Sequence, residues 1–171
     1  MEEHREREQY FFDEPTVRRL ADFLEGYDRP CCLCAPLVGR ELARRGVAAT
    51  VLDLDRRFAD LEGFRFFDLQ HPRWLDEEFG IILCDPPFFG VSLARQLRAV
   101  RGLAHHDFGR PLLFTYLRRR QAKVIDVFRP FGLRPTGFLP TYRSVRKLGK
   151  FEVELFGNLP EEEHARLRAL P

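Results

Sequence analysis

Asp85-Pro86-Pro87-Phe88 directly follows the apolar run Gly80–Cys84, and so sets a carboxylate, two prolines and an aromatic ring at one point of the chain. The prolines fix φ and extend the backbone, which leaves a main-chain carbonyl unpaired beside the Asp85 carboxylate. Two acceptors at one point hold the hydrogens of an –NH2 group with its lone pair toward an electrophile, and Phe88 stacks on a planar ring that bears the amine. That is the geometry for methylating an exocyclic amine, with Asp85, Pro86 and Phe88 as the catalytic residues. The competing reading is a stiff loop that closes a strand.

A cofactor has to lie against the same edge. Asp53 and Asp55, at the end of the run Ala48–Leu54, stand 17 and 19 residues after Pro36, near the spacing of about 20 at which a carboxylate holds a ribose diol. Alternation sets both on one face, and Asp55, further out, is the better candidate for ribose. Either one alternatively caps or solvates a strand end. Asp68, just past Gly63–Phe67, is suited to accept from an adenine amino group or to cap the next turn. The turn Cys34-Ala35-Pro36-Leu37-Val38-Gly39 carries a single glycine and lacks G-x-G-x-x-G, which disfavours the pyrophosphate of NAD or FAD. A cofactor without a pyrophosphate needs only the free N–H groups of a helix start behind Pro36, where a carboxylate is received.

The elements that must position these residues alternate along the chain. Val17, Leu20, Ala21 and Leu24 predict a helix over Pro15–Glu25, with Thr16 available to cap it and Asp28-Arg29-Pro30 to break it. There follow a strand in Cys31–Ala35, a helix over Val38–Arg45, and strands in Ala48–Leu54, Gly63–Phe67 and Gly80–Cys84. A helix over Ser92–Gly102, a strand over Pro111–Leu117 and a helix around Arg118–Phe128 come next. Leu133–Tyr142 and Phe151–Gly157 close the series as an antiparallel pair around Leu148-Gly149-Lys150, and Pro160–Pro171 reads as a short acidic helix or tail. Strands alternating with helices predict an α/β fold with a mostly parallel sheet covered on both faces and an antiparallel C-terminal edge.

The chain has 171 residues and no apolar run near the roughly 18 needed to cross a bilayer. This length predicts one domain, with residues 1–8 as a charged tail, 9–158 as the folded unit and 159–171 as a C-terminal tail. The start Met1-Glu2-Glu3-His4-Arg5-Glu6 is unlike a secretory leader, so a cytoplasmic protein is expected. With 28 basic against 26 acidic residues the net charge is +2, so a nucleic-acid partner has to be recognised by a local patch rather than by bulk charge. The 17 Phe predict an aromatic core. Cys31 and Cys34 have C-x-x-C spacing, but strand alternation points them to opposite faces and no second ligand pair follows, so no metal is expected. Cys34 and Cys84 read instead as small fillers near the cofactor, and His105-His106-Asp107 as a surface loop.

Together these motifs resemble S-adenosylmethionine-dependent amino-methyltransferases, and more narrowly the probable N6-adenine methyltransferase family. That family has a ribosomal-RNA N6-adenosine branch and a branch that methylates a lysine of a translation factor. The resemblance covers about Gln9 to Asn158. It rests on Gln9-Tyr10-Phe11-Phe12 with Thr16, on Cys34-Ala35-Pro36, on Leu52-Asp53-Leu54-Asp55-Arg56-Arg57-Phe58, on Phe67-Asp68 and on Asp85-Pro86-Pro87-Phe88. It implies a Rossmann-like class I methyltransferase fold with seven strands and S-adenosylmethionine as cofactor. Thr16, Cys34, Ala35, Pro36, Asp53, Asp55, Phe67 and Asp68 would line the cofactor, with Asp55 on the ribose and Phe67 and Asp68 on the adenine. Asp85 and the Pro86 carbonyl would take the target amine. Phe88 and Gly90 are more like the ribosomal-RNA branch than the lysine branch, where Tyr is usual.

For the substrate, Phe11, Phe12 and Phe89 near the motif, with Arg118 of Arg118-Arg119-Arg120 and Arg143 of Arg143–Lys150, interleave basic groups with stacking rings. That is how flipped or single-stranded bases are bound. Adenine in RNA, ahead of DNA, is the first expectation and a protein lysine the second, since an amine held by two acceptors is indifferent to what carries it. A non-catalytic binding module is the third. The oligomeric state stays open.

Overall fold

The computed structural model describes residues 1–3, 9–145 and 149–171. Residues 4–8 of the charged segment, Arg146 and Lys147 of the basic stretch and Leu148 of the expected turn lie outside the described residues.

Seven strands form one sheet in the order β3-β2-β1-β4-β5-β7-β6. The five parallel strands are β1 (Pro30–Leu33), β2 (Thr50–Asp53), β3 (Phe64–Phe66), β4 (Ile81–Cys84) and β5 (Leu112–Leu117). β7 (Val153–Gly157) runs antiparallel between β5 and β6 (Arg134–Pro135). Every residue of β1, β4 and β5 is buried, the mark of central strands covered on both faces. Cys32, Ile81, Leu83, Leu113 and Leu155 point into the layer under α1 (Glu14–Leu24), α2 (Pro36–Arg44) and α5 (Glu161–Ala169). Cys31, Ile82, Cys84, Leu112 and Phe114 point into the layer under α3 (Leu93–Leu103) and α4 (Gln121–Val127). The strand order reverses between β1 and β4, and the carboxyl ends of those two strands open the crevice in which such sheets bind ligands.

Gly39 shows how one residue sets this geometry. A Cβ there would lie 2.2 Å from Val51 Cγ2 on β2, so α2 packs against the sheet at a distance only glycine allows. Of the three duties glycines perform in a dinucleotide turn, this chain keeps the helix–strand contact and omits the two that let a pyrophosphate approach.

Several local expectations are corrected. The cap of α1 is Asp13, which accepts from Thr16 N at 3.0 Å, while Thr16 itself is buried and bonded to Thr141. Arg118–Arg120 is a 3-10 turn ahead of α4 rather than its first α-turn. The strand expected over Leu133–Tyr142 shrinks to Arg134–Pro135, because Gly132 (φ 67°) and Gly137 (φ 80°) turn the backbone on either side. The pair β6–β7 is antiparallel as expected, but a long connection rather than a tight turn joins it. The last segment forms the helix α5, whose buried His164 and Leu167 belong to its inner face.

Candidate functional site

β1 ends at Leu33, and Cys34 then adopts φ 56°, turning the chain outward before α2. This kink breaks strand alternation, so Cys31 and Cys34 pack against the same core layer rather than opposite ones. The outward turn, the end of β2 and the loop after β4 enclose a cavity of about 800 Å³, within the range of small-molecule sites. The first-turn N–H groups of α2 have no side-chain cap and lie at this turn behind Pro36.

One wall carries Asp53, the last residue of β2, and Asp55 just past it. Asp53 accepts from Asp55 N at 2.8 Å, and burial pushes its carboxyl up to about 6. Asp55 is differently placed. Its carboxylate accepts from Arg57 Nε at 2.9 Å and Nη2 at 2.6 Å and from Gln9 Nε2 at 2.9 Å. These bonds overcome its burial and hold it down at about 2. Asp55 is thus an anchor for the N-terminal segment, and Asp53 is the less engaged of the two. Further along the rim, Asp68 is bonded by Gln70 N at 2.8 Å and lies 2.9 Å from His71 Nδ1, which lowers its carboxyl below the ordinary range.

The opposite wall is the Asp85–Phe88 loop. Asp85 Oδ1 accepts from the Tyr142 hydroxyl at 2.7 Å and from the Thr115 hydroxyl. Oδ2 has no bond among the described residues. Desolvation raises this carboxyl to about 7, against the lowering effect of the two hydroxyls. The carbonyls that follow are sorted by their neighbours. Gln96 Nε2 donates to Pro87 O at 2.8 Å and to Val91 O at 2.9 Å, and Tyr116 OH donates to Phe88 O at 2.7 Å. The Pro86 carbonyl has no such bond among the described residues, so it and Asp85 Oδ2 are the acceptors left over. Phe88 meets Tyr116 edge-on, with centroids 5.2 Å apart, and lines the same cavity.

The residues singled out from sequence therefore divide. Asp85, Pro86, Phe88 and Phe89 line the cavity on one side, Cys34, Pro36, Asp53, Asp55, Phe67 and Asp68 on the other, and Phe11 at its edge. Thr16, Ala35 and Phe12 are buried and do not line it; Phe12 packs on Tyr142 with centroids 4.9 Å apart. Arg118 pairs with Glu152 at 2.7 Å and Glu154 at 3.3 Å, and the Arg143 guanidinium lies over Phe11 at 5.9 Å; neither lines the cavity. Cys84 is buried in the core, and His105 bonds Leu75 O at 2.7 Å away from the cavity. Among the described residues, no group of three or more His, Cys, Asp or Glu is arranged to hold a metal, and no helix is long and apolar enough to cross a membrane.

Sequence reasoning missed Thr115, Tyr142 and Gln96, and it named Gln9 only within its motif, without the bond to Asp55. Two of them carry a signal: Thr115 is a hydroxyl inside the apolar strand Leu112–Leu117, and Gln96 is an amide on the buried stripe Leu93, Gln96, Val100, Leu103. Tyr142 and Gln9 lie in segments without periodicity, and only the fold brings them in.

Two solved structures share this architecture. One is a TehB-like SAM-dependent methyltransferase from Corynebacterium glutamicum, 16% identical, with a TM-score of 0.53 over 82% of this chain and 85% of that one. The other is a Pyrococcus horikoshii protein assigned as an RNA methyltransferase, 14% identical, with a TM-score of 0.57 over 91% and 89%. At such identities the likeness establishes the Rossmann-like class I fold. No curated protein matches the chain. A family model described as "Probable N6-adenine methyltransferase" matches residues 3–158.

Proposed function

The chain belongs to the probable N6-adenine methyltransferase family, and from that premise we propose that it transfers the methyl group of S-adenosylmethionine to N6 of adenine in RNA. The observation that carries this reading is the pair of spare acceptors, Asp85 Oδ2 and the Pro86 carbonyl, beside the Phe88 ring in a cavity shared with Asp53 and Asp55.

The cavity suits the cofactor. Two acids that burial raises to about 6 and about 7 favour a cationic ligand, and at the start of α2, where the Val38 and Gly39 N–H groups already bond Ala35 O, the Leu37 N–H is left to meet its carboxylate. Asp53 takes the ribose in this reading, because Asp55 is committed to Arg57 and Gln9; Phe67 and Asp68 border the adenine. When bound, the cofactor supplies an electrophilic methyl group. The protein's own part is to hold the amine. Asp85 Oδ2 and Pro86 O each accept one N–H, which draws the nitrogen toward a pyramidal geometry and turns its lone pair to the transferring carbon. Phe88 stacks on the base, and Phe89, 61% exposed at the mouth, adds a second ring. Arg119, Arg143 and Lys150, exposed beyond the cavity, supply phosphate contacts.

The test is incubation with methyl-labelled cofactor and cell extract, followed by RNase or protease. Label removed by RNase, and absent with Asp85→Ala although that variant still binds cofactor, is expected. Label removed by protease alone moves the substrate to a lysine. Full activity of Asp85→Ala overturns the role of the acceptor pair.

A further inference from the structure

The Asp85 carboxylate is held in an unequal way. Both of its hydroxyl partners, Thr115 from β5 and Tyr142 from the segment after β6, donate to the same oxygen, Oδ1. Tyr142 is fixed in turn: it pairs across an antiparallel bridge with Phe12, and its ring packs on that of Phe12. A rigid phenol therefore reaches the base of the amine site from a part of the chain that the motif does not include.

We propose that Tyr142 is a positioning residue that acts through Asp85: with Thr115 it occupies Oδ1, so that Oδ2 is the oxygen turned to the substrate and the ionised form of the carboxylate is favoured. The catalytic consequence rests on the function proposed above; the effect on Asp85 does not. With Oδ1 already accepting from two hydroxyls, the proton of a neutral carboxyl falls on Oδ2, where it faces the amine and makes that oxygen a poor acceptor, so activity falls as the group is protonated. The surroundings oppose ionisation. Burial raises Asp85, the Asp53 charge on β2 raises it further, and the neighbouring Cys34 and Cys84 thiols are themselves pushed up by burial and remain neutral. The Tyr142 phenol is likewise pushed far up and stays a donor. Among the described residues only the two hydroxyls favour the charged form.

The experiment follows the Asp85 carboxyl by NMR in protein carrying 13Cγ-aspartate, titrated from about pH 5 to about pH 9, with the resonance identified by its loss in Asp85→Asn. The midpoint, about 7 in the parent protein, rises by roughly one pH unit in Tyr142→Phe, the scale of one lost hydrogen bond to a charged group. Thr115→Val gives the same direction and carries the test if Tyr142→Phe does not fold by circular dichroism. With total cellular RNA and labelled cofactor, the acidic limb of kcat/KM moves to higher pH by the same amount, and the rate recovers on the alkaline side. A midpoint that stays or falls in a folded variant, or a rate lowered equally at every pH, overturns the proposal. An NMR shift with no transfer to RNA by the parent protein overturns the RNA function instead and leaves the Tyr142–Asp85 linkage standing.

Discussion

Gln96 is a fully buried amide. Its Nε2 holds the carbonyls of Pro87 and Val91, and its Oε1 has no partner among the described residues. Gln96→Leu removes two hydrogen bonds worth about 1 kcal/mol each, and also removes a buried unpaired oxygen that costs about 1–3 kcal/mol. The new side chain has similar volume and joins Leu93, Ala99 and Val100 in the α3 stripe. The balance lies within about 1 kcal/mol of zero, a change in Tm of no more than about 4 °C for a chain of this size. Activity has no such compensation. Without the tether the loop from Asp85 to Val91 loses its register on α3, and a misplacement of about 1 Å at a reacting group costs on the order of 100-fold. The variant should therefore melt almost like the parent, bind S-adenosylmethionine with affinity unchanged within about twofold, and lose roughly 10- to 100-fold in kcat/KM. Thermal denaturation, calorimetric titration of cofactor and labelled transfer to RNA measure the three quantities. Full activity in a folded variant, or a loss of stability of about 4 kcal/mol or more, would refute the reasoning.

Gly39→Ala places a methyl group 2.2 Å from Val51 Cγ2 and should cost about 1–3 kcal/mol by urea unfolding, with weakened cofactor binding as α2 is pushed outward. Asp53 and Asp85 have folded-state values near 6 and 7, above those of free carboxyls, so their ionisation weakens the empty fold as pH rises through that window. A cationic cofactor reverses the preference: its affinity should rise from about pH 5.5 to about pH 8 with release of protons, seen by calorimetry in buffers of different ionisation heat. His164 has its folded value lowered by burial, so the unfolded chain binds the proton more tightly and stability should fall as pH drops below about 6.5. Tm measured against pH in His164→Leu should lose that part of the slope.

How much of this was legible in the sequence depended on range. The parallel strands and their helices could be read because each apolar run and each helical stripe is a local pattern, and the Asp-Pro-Pro-Phe motif because four adjacent residues carry its geometry. Spacing favours Asp55 over Asp53, and it gives no sign that Arg57, two residues on, and Gln9, far back in the chain, both bond the Asp55 carboxylate. The strand over Leu133–Tyr142 failed for a local reason, since Gly132 and Gly137 adopt positive φ. Tyr142 failed for a distant one, since nothing near it in sequence announces Asp85.

The pairing of residues 11–13 with 141–143 joins distant segments, with Thr141 standing 128 residues after Asp13: Asp13 N donates to Thr141 O at 2.9 Å, and Arg143 N donates to Phe11 O at 2.9 Å. Phe11 borders the cavity and Tyr142 grips Asp85, so both walls of the site depend on this join. During vectorial synthesis the first of these segments leaves the ribosome early and finds no partner until the second has emerged, while β7, made later still, has to be inserted between β5 and β6. The nascent chain can build its five parallel strands in order, but it cannot close the pocket until the segment that carries Tyr142 has emerged.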